Sequence, residues 1–144
     1  MGLKLDPSDR IFMDTAPFIY FFEEHPVYIE KLSNLFDSVY ALGVPVITSV
    51  VTYIEVLAYP EKTGAKSLAA KYRDSLTNSE LVSIYPLNLQ VADMAVTFRA
   101  KYGLKTPDAV QIATAAVCGA DYVITNDREW KKIKDVRVVL LPEL

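Results

Sequence analysis

Four carboxylates occupy positions where a carboxylate is costly. Asp14 follows the apolar run Ile11-Phe12-Met13, and Asp127 follows Val123-Ile124-Thr125-Asn126. Glu55 sits within Val50-Val51-Thr52-Tyr53-Ile54-Glu55-Val56-Leu57, with apolar side chains at i−4, i−1, i+1 and i+2 and no broad polar face to carry it into water. Asp108 opens a helical pattern that continues through Ala109, Val110, Ile112, Ala113, Ala115 and Ala116. Burying a carboxylate among apolar groups costs several kcal/mol unless it is paired or binds a metal, so four such acids call for a shared cation. Hard carboxylate oxygens without His or Cys favour Mg²⁺ or Mn²⁺ over zinc. One or two such ions make hydroxide from water near neutral pH and stabilise charge on a leaving oxygen, which is the chemistry of metal-assisted phosphodiester hydrolysis.

Each acid alone has a plainer explanation. Asp108 suits the dipole at a helix N-terminus, Asp127 an N-cap, Asp14 a strand-end turn and Glu55 an ordinary amphipathic helix. The joint pattern outweighs the four separate explanations.

The elements that must bring these acids together are marked by local signals. Short apolar runs at 10–14, 44–48, 81–85, 122–125 and 136–140 read as strands. Helical patterns fill the gaps: 16–24 after Thr15 as N-cap with Pro17 in the first turn, 27–42 closed by Gly43, and 50–58 capped by Ser49 and broken by Pro60. Further helices are expected at 64–76, at 89–102 between Asn88 and Gly103, from Thr106-Pro107 to Gly119, and briefly at 128–133. Strands that are apolar throughout and separated by helices imply a parallel sheet covered on both faces, an α/β fold arranged as a three-layer α/β/α sandwich. Residues 1–144 are expected to form a single domain of this kind. Such sheets bind ligands at the carboxyl ends of their strands, where strand order reverses. Asp14 and Asp127 lie on that edge, the helices starting at Ser49 and Thr106 begin there, and Glu55 reaches it if its helix leans over.

Composition sets limits. The 144 residues are 51% hydrophobic with a net charge of −3, which excludes a disordered chain and a protein that coats nucleic acid through bulk charge. The single cysteine, Cys118, forms no intrachain bridge and is expected in the core. No apolar stretch is long enough to span a bilayer and the N-terminus lacks a signal-peptide core, so no membrane role and a cytoplasmic location are expected. Charge is uneven: residues 1–60 carry eight acids and three bases, residues 61–144 ten acids and twelve bases. The densest basic segment, from Arg128 through Lys131, Lys132 and Lys134 to Arg137, begins beside Asp127 and is read as a phosphate-contacting lip, with Lys101 and Lys105 added beside Asp108. The only histidine, His25, has no Ser or Cys partner in a recognisable motif, so nucleophilic triads are unsupported. The aromatic group Phe18, Tyr20, Phe21, Phe22, Tyr28, Phe36 and Tyr40 is read as largely core, with any uncovered part an interface.

At the four acids the sequence resembles the PIN-domain ribonucleases, and within them the VapC-type toxins of bacterial and archaeal toxin–antitoxin pairs. The matching segments are residues 12–23 around Asp14-Thr15, 48–57 ending in Glu55-Val56-Leu57, 104–113 around Thr106-Pro107-Asp108-Ala109, and Ile124-Thr125-Asn126-Asp127. The resemblance implies a Mg²⁺- or Mn²⁺-dependent endoribonuclease in which Asp14, Glu55, Asp108 and Asp127 hold the metal and carry catalysis, supported by Thr15, Thr125 and Asn126. It also implies RNA as substrate, contacted here by Lys105, Arg128, Lys131 and Lys132, a cognate antitoxin seated in the aromatic region, and a homodimer. A phosphatase with Asp14 as nucleophile lacks the usual second acid, because position 16 is Ala. The other rivals are an RNA-processing nuclease outside a toxin pair and a non-catalytic RNA- or partner-binding module that keeps the fold. Metal binding also recasts the net charge of −3, since one divalent ion brings the formal total to −1 and two bring it to +1.

Overall fold

Strand β1, Ile11–Met13, is fully buried because it lies in the middle of a sheet flanked on both faces by helices. A computed structural model describes residues 2–144. Around β1 stand β2 (Val46–Ser49), β3 (Val82–Tyr85), β4 (Tyr122–Thr125) and β5 (Val138–Leu140), in the order β3-β2-β1-β4-β5. All four pairings are parallel, with Phe12 opposite Ile47 on one side and Val123 on the other. The expected parallel three-layer α/β/α sandwich is therefore the observed fold.

The helices are α1 (Thr15–Phe22), α2 (Ile29–Leu42), α3 (Val50–Lys62), α4 (Lys66–Thr77), α5 (Leu89–Tyr102) and α6 (Thr106–Val117), followed by a 3₁₀ turn at Arg128–Lys132. Alternation along the strands divides the core. Ile11, Met13, Val46 and Ile124 pack with α1, α2, α3 and α4 on one face, while Phe12, Val123 and Val138 pack with α5, α6 and Trp130 on the other. Local signals worked where the cap was local. Gly43 and Gly103 close α2 and α5 with φ of 68° and 66°, and Asn88 accepts from Val91 N at 2.9 Å.

Several sequence expectations need correction. Asp14, not Thr15, caps α1, its carboxylate accepting from Thr15 N at 2.7 Å. Pro60 does not break α3, which runs on to Lys62. The ring is buried in the last turn, where its missing N–H forgoes a single intrahelical bond. Cys118 is half-buried at the C-terminal cap of α6 rather than in the core. Glu55 is exposed, because the outward face of α3 is itself apolar, with Ile54 63% and Tyr59 68% exposed. No helix among the described residues is long and apolar enough to cross a membrane.

The connections from β1 run to β2 and β3 on one side, while β4 and β5 lie on the other, so strand order reverses between β1 and β4. That reversal opens a crevice at the carboxyl ends of the strands.

Candidate active site

The crevice is a cleft of about 470 Å³ lined by Asp14, Thr15, Ala16, Ile19, Tyr20, Glu55, Asp108, Asn126 and Asp127. Four elements deliver its four acids. Asp14 ends β1, Asp127 follows β4, Glu55 comes from the second turn of α3, and Asp108 lies in the first turn of α6. No Lys or Arg lines the cleft.

Asp14 lies deepest. Its Oδ2 accepts from Thr125 Oγ1 at 2.7 Å, and its Oδ1 accepts from Thr15 N at 2.7 Å and from Gln111 Nε2 at 2.9 Å. Burial pushes the Asp14 carboxyl up to about 6, with the charges of Glu55 and Asp108 adding to the rise, while the hydrogen bonds from Thr125 and Thr15 oppose it. Asp108 is raised as well, first by burial and then by the negative charges of Asp127 and Glu55; Lys105 works against that rise. Trp130 is 1% exposed, and its indole N–H forms no well-aligned hydrogen bond among the described residues. That N–H nevertheless lies near enough to Asp108 to hold its carboxyl down somewhat.

Thr15 Oγ1 reaches Glu55 Oε1 at 2.7 Å and Thr52 Oγ1 at 3.2 Å. A hydroxyl has one proton to donate, and the shorter contact to the carboxylate takes it. Asp127 caps the 3₁₀ turn, accepting from Glu129 N at 2.9 Å, and its own N–H donates to Thr125 Oγ1 at 3.0 Å. Its capping and its place on the cleft coexist. Asn126 lines the same cleft.

The basic residues divide. Lys105 is exposed beside Asp108, and Arg128 is exposed directly after Asp127. Lys131 is not brought to the cleft: its ammonium donates to Val138 O at 2.8 Å and pairs with Glu143 at 2.8 Å. Lys132 is exposed and does not line the cleft. Lys101 is paired with Asp135 at 3.1 Å.

Sequence reasoning missed Gln111. It is 1% exposed, accepts from Ser49 Oγ through Oε1, and donates through Nε2 to Asp14, to Thr52 Oγ1 at 2.9 Å and to Thr15 Oγ1 at 3.3 Å. A signal was present, since an amide in the apolar run from Ala109 to Ala116, one turn after Asp108, must find hydrogen bonds inside the protein.

The donor set fits a hard divalent cation. Its acids are carboxylates from separate elements, no cationic side chain lines their cleft, and two of them, Asp14 and Asp108, are raised first by burial and then by the charges of neighbouring acids of the set. Among the described residues, no three His, Cys, Asp or Glu side chains converge into a finished coordination shell.

Comparison with solved structures places the whole architecture. The VapBC2 complex of Rickettsia felis bound to a fragment of its promoter DNA aligns over 91% of this chain and 98% of its own, with a TM-score of 0.75 at 15% identity. The DNA-bound VapBC complex of Salmonella typhimurium aligns over 92% and 98%, with a TM-score of 0.72 at 20% identity. VapC20 of Mycobacterium tuberculosis, a toxin that cleaves the sarcin–ricin loop, aligns over 88% and 98%, with a TM-score of 0.69 at 16% identity. No curated protein sequence matches the chain significantly. At these identities the neighbours establish the fold, and the family follows from the sequence profile. The PIN domain profile matches residues 11–136, from the first residue of β1 to the segment before β5, and so spans all four cleft acids: the chain belongs to the PIN domain family.

Proposed function

We propose that this chain is a Mg²⁺- or Mn²⁺-dependent endoribonuclease and the toxin component of a toxin–antitoxin pair acting in the cytoplasm. The observation that carries this reading is the cleft itself, where Asp14, Glu55, Asp108 and Asp127 meet with no cationic side chain among the lining residues. The four acids would hold the metal. When bound, it supplies a hydroxide-generating and charge-neutralising centre for hydrolysis of a phosphodiester bond, leaving 5′-phosphate and 3′-hydroxyl ends. The protein's own part is positioning. Asp14 is held by three donors, Thr15 orients Glu55, and Thr125 links Asp14 to the backbone of Asp127. Purified protein is expected to cut RNA with Mn²⁺ or Mg²⁺ and to stop in excess chelator. Undiminished cutting in chelator overturns the metal reading, and no cutting at any metal concentration favours a binding module.

Lys105 and Arg128 flank the acids and supply phosphate contacts. Single-strand binding loses a salt-dependence slope of about 0.7 per phosphate contact removed. The double variant Lys105→Ala/Arg128→Ala is therefore expected to bind uncleavable RNA several-fold more weakly, with the log–log salt slope reduced by about 1.4, as measured by fluorescence anisotropy. Lys131→Ala, already paired to Glu143 and Val138, is expected to change binding less than twofold. The reverse ranking would move the RNA path away from Asp108 and Asp127.

Two surfaces support protein partners. Phe18, Phe21, Phe22, Phe36, Tyr40 and Val82, together with the polar Asp74, Ser75, Asn78, Ser79 and Glu80, line a largely apolar groove of about 370 Å³, which continues past Phe21 and Phe22 toward Tyr72. Toxin–antitoxin complexes among the structural neighbours make an antitoxin the occupant we favour. Tyr40 is 58% exposed, so Tyr40→Glu should leave the fold and RNA cleavage intact. It is expected to weaken capture of the protein encoded by the adjacent reading frame at least tenfold, and unchanged capture would remove the groove from the interface. The exposed Ile54 and Tyr59 on α3 support a homodimer, checked by light scattering, where a monomeric mass for the purified chain refutes it.

A further inference from the structure

We infer that Gln111 is the positioning residue that sets how two of the four acids face the cleft, Asp14 directly and Glu55 through Thr15. The inference rests on the metal-dependent reading above and assigns a role to a residue that does not line the cleft.

The orientation of the amide is determined by its partners. Ser49 Oγ accepts from Val51 N at 3.1 Å, so its hydroxyl proton is available to donate, and Gln111 Oε1 accepts it. Nε2 then faces three oxygens: Asp14 Oδ1 at 2.9 Å, Thr52 Oγ1 at 2.9 Å and Thr15 Oγ1 at 3.3 Å. The flipped amide would set Oε1 against an ionised Asp14 oxygen, acceptor against acceptor, and would leave the Ser49 proton facing an N–H. Only one orientation satisfies the network.

The consequence falls on Asp14. Oδ1 takes two donors, Thr15 N and Gln111 Nε2, which fills both of its lone pairs. Oδ2 takes one donor, Thr125 Oγ1, and so keeps one lone pair without a hydrogen bond among the described residues. Gln111 thereby makes the two oxygens of Asp14 inequivalent and leaves Oδ2 as the atom with spare capacity for a cation. Of the amide's two N–H groups one serves Asp14, and the other is shared between Thr52 Oγ1 at 2.9 Å and the longer contact to Thr15 Oγ1 at 3.3 Å. Thr15 gives its own proton to Glu55 Oε1 at 2.7 Å, so the same amide helps to hold the exposed Glu55 over the cleft. One buried side chain on α6 thus ties the end of β1 to the first two turns of α3.

Gln111→Met keeps the length and burial of the side chain and removes both its donor and its acceptor. Groups that orient metal ligands typically contribute about 10–100-fold in metal affinity or activity. The expected result is a Mn²⁺ affinity about tenfold or more weaker, measured without substrate from the free-ion signal in electron paramagnetic resonance. At saturating Mn²⁺, kcat for RNA cleavage should fall by about tenfold, with KM changed less than twofold. A purely structural role would lower thermal stability and leave Mn²⁺ affinity and kcat of the folded fraction at the parent's values, and that outcome overturns the inference. If Gln111→Met does not fold, Thr52→Val carries the test. It removes one of the amide's two closest acceptors at a fully buried site, and parental Mn²⁺ affinity in that variant overturns the inference as well. A parent protein that binds no Mn²⁺ instead refutes the metal reading, and this inference with it.

Discussion

Asp14→Asn is expected to abolish RNA cleavage and, in metal-free protein at pH 7.5, to raise the melting temperature. The two effects have one cause. Burial, with Glu55 and Asp108 nearby, lifts the Asp14 carboxyl from 3.8 to about 6, so the folded protein resists the charge that the unfolded chain accepts freely. Below about pH 4 both states are protonated and the group contributes nothing. Between about pH 4 and 6 the folded state holds the extra proton and stability falls as pH rises. Above about pH 6 the full penalty is present. A shift of this size corresponds to about 3 kcal/mol at most, reduced here because part of the residue remains solvent-accessible. Asn retains the Oδ1 acceptor used by Thr15 N and Gln111 Nε2, so a net gain of about 1–2 kcal/mol is expected, or roughly 2–8 °C at this chain length. Cleavage should drop by about 10³-fold or more, since the deepest acid of the set no longer carries charge. Calorimetry and a cleavage assay on the same preparation decide the matter. A variant that cuts RNA like its parent removes Asp14 from the mechanism, and a destabilised variant contradicts the burial penalty.

Divalent metal should reverse the pH trend. Without metal, stability is expected to fall from about pH 4 to 6 as Asp14 is forced to ionise, and Asp108, raised in the same direction, adds to the fall. A cation binds only the ionised form, so its stabilisation grows as protons leave. At about one hundred times its dissociation constant, Mn²⁺ should add about 2.7 kcal/mol at pH 8 and far less at pH 5. Thermal melts with Mn²⁺ and with chelator at the two pH values measure this. Asp108→Asn should lose most of the metal-induced shift, and a shift that is equal at both pH values, or intact in that variant, places the ion somewhere other than this cleft.

What could be read before the structure was known, and what could not, follows the range of the interaction involved. Gly43 and Gly103 announced their helix ends because a positive φ is a property of one residue, and Asn88 and Ser49 announced helix starts because a cap reaches only two or three residues. The apolar strands declared a sheet covered on both faces because burial leaves its mark on every residue of a strand. The order of the strands, with β1 between β2 and β4, is a matter of long-range pairing, and only that order sets Asp14 beside Thr125 and Asp127.

Glu55 shows where local reasoning errs. Its apolar neighbours in sequence imply burial, yet Ile54 and Tyr59 face outward, and whether an apolar face is covered depends on what lies across from it. Lys131 errs in the opposite direction. Next to Arg128 in sequence it belongs to a basic run, and in space it is tied to Val138 and Glu143. Gln111 is the clearest instance. Its amide meets Asp14 across 97 positions of chain, and no local pattern states which buried polar group will satisfy which other.

By itself, then, the sequence determined the chemistry this protein can carry, four carboxylates spaced along strand ends and helix starts, because residue type and backbone preference are local and are written where they act. The tertiary structure alone decided which oxygen of Asp14 keeps spare capacity, which lysines reach the cleft and which face of α3 meets water, because those outcomes depend on hydrogen bonds and packing between segments that meet only when the chain folds.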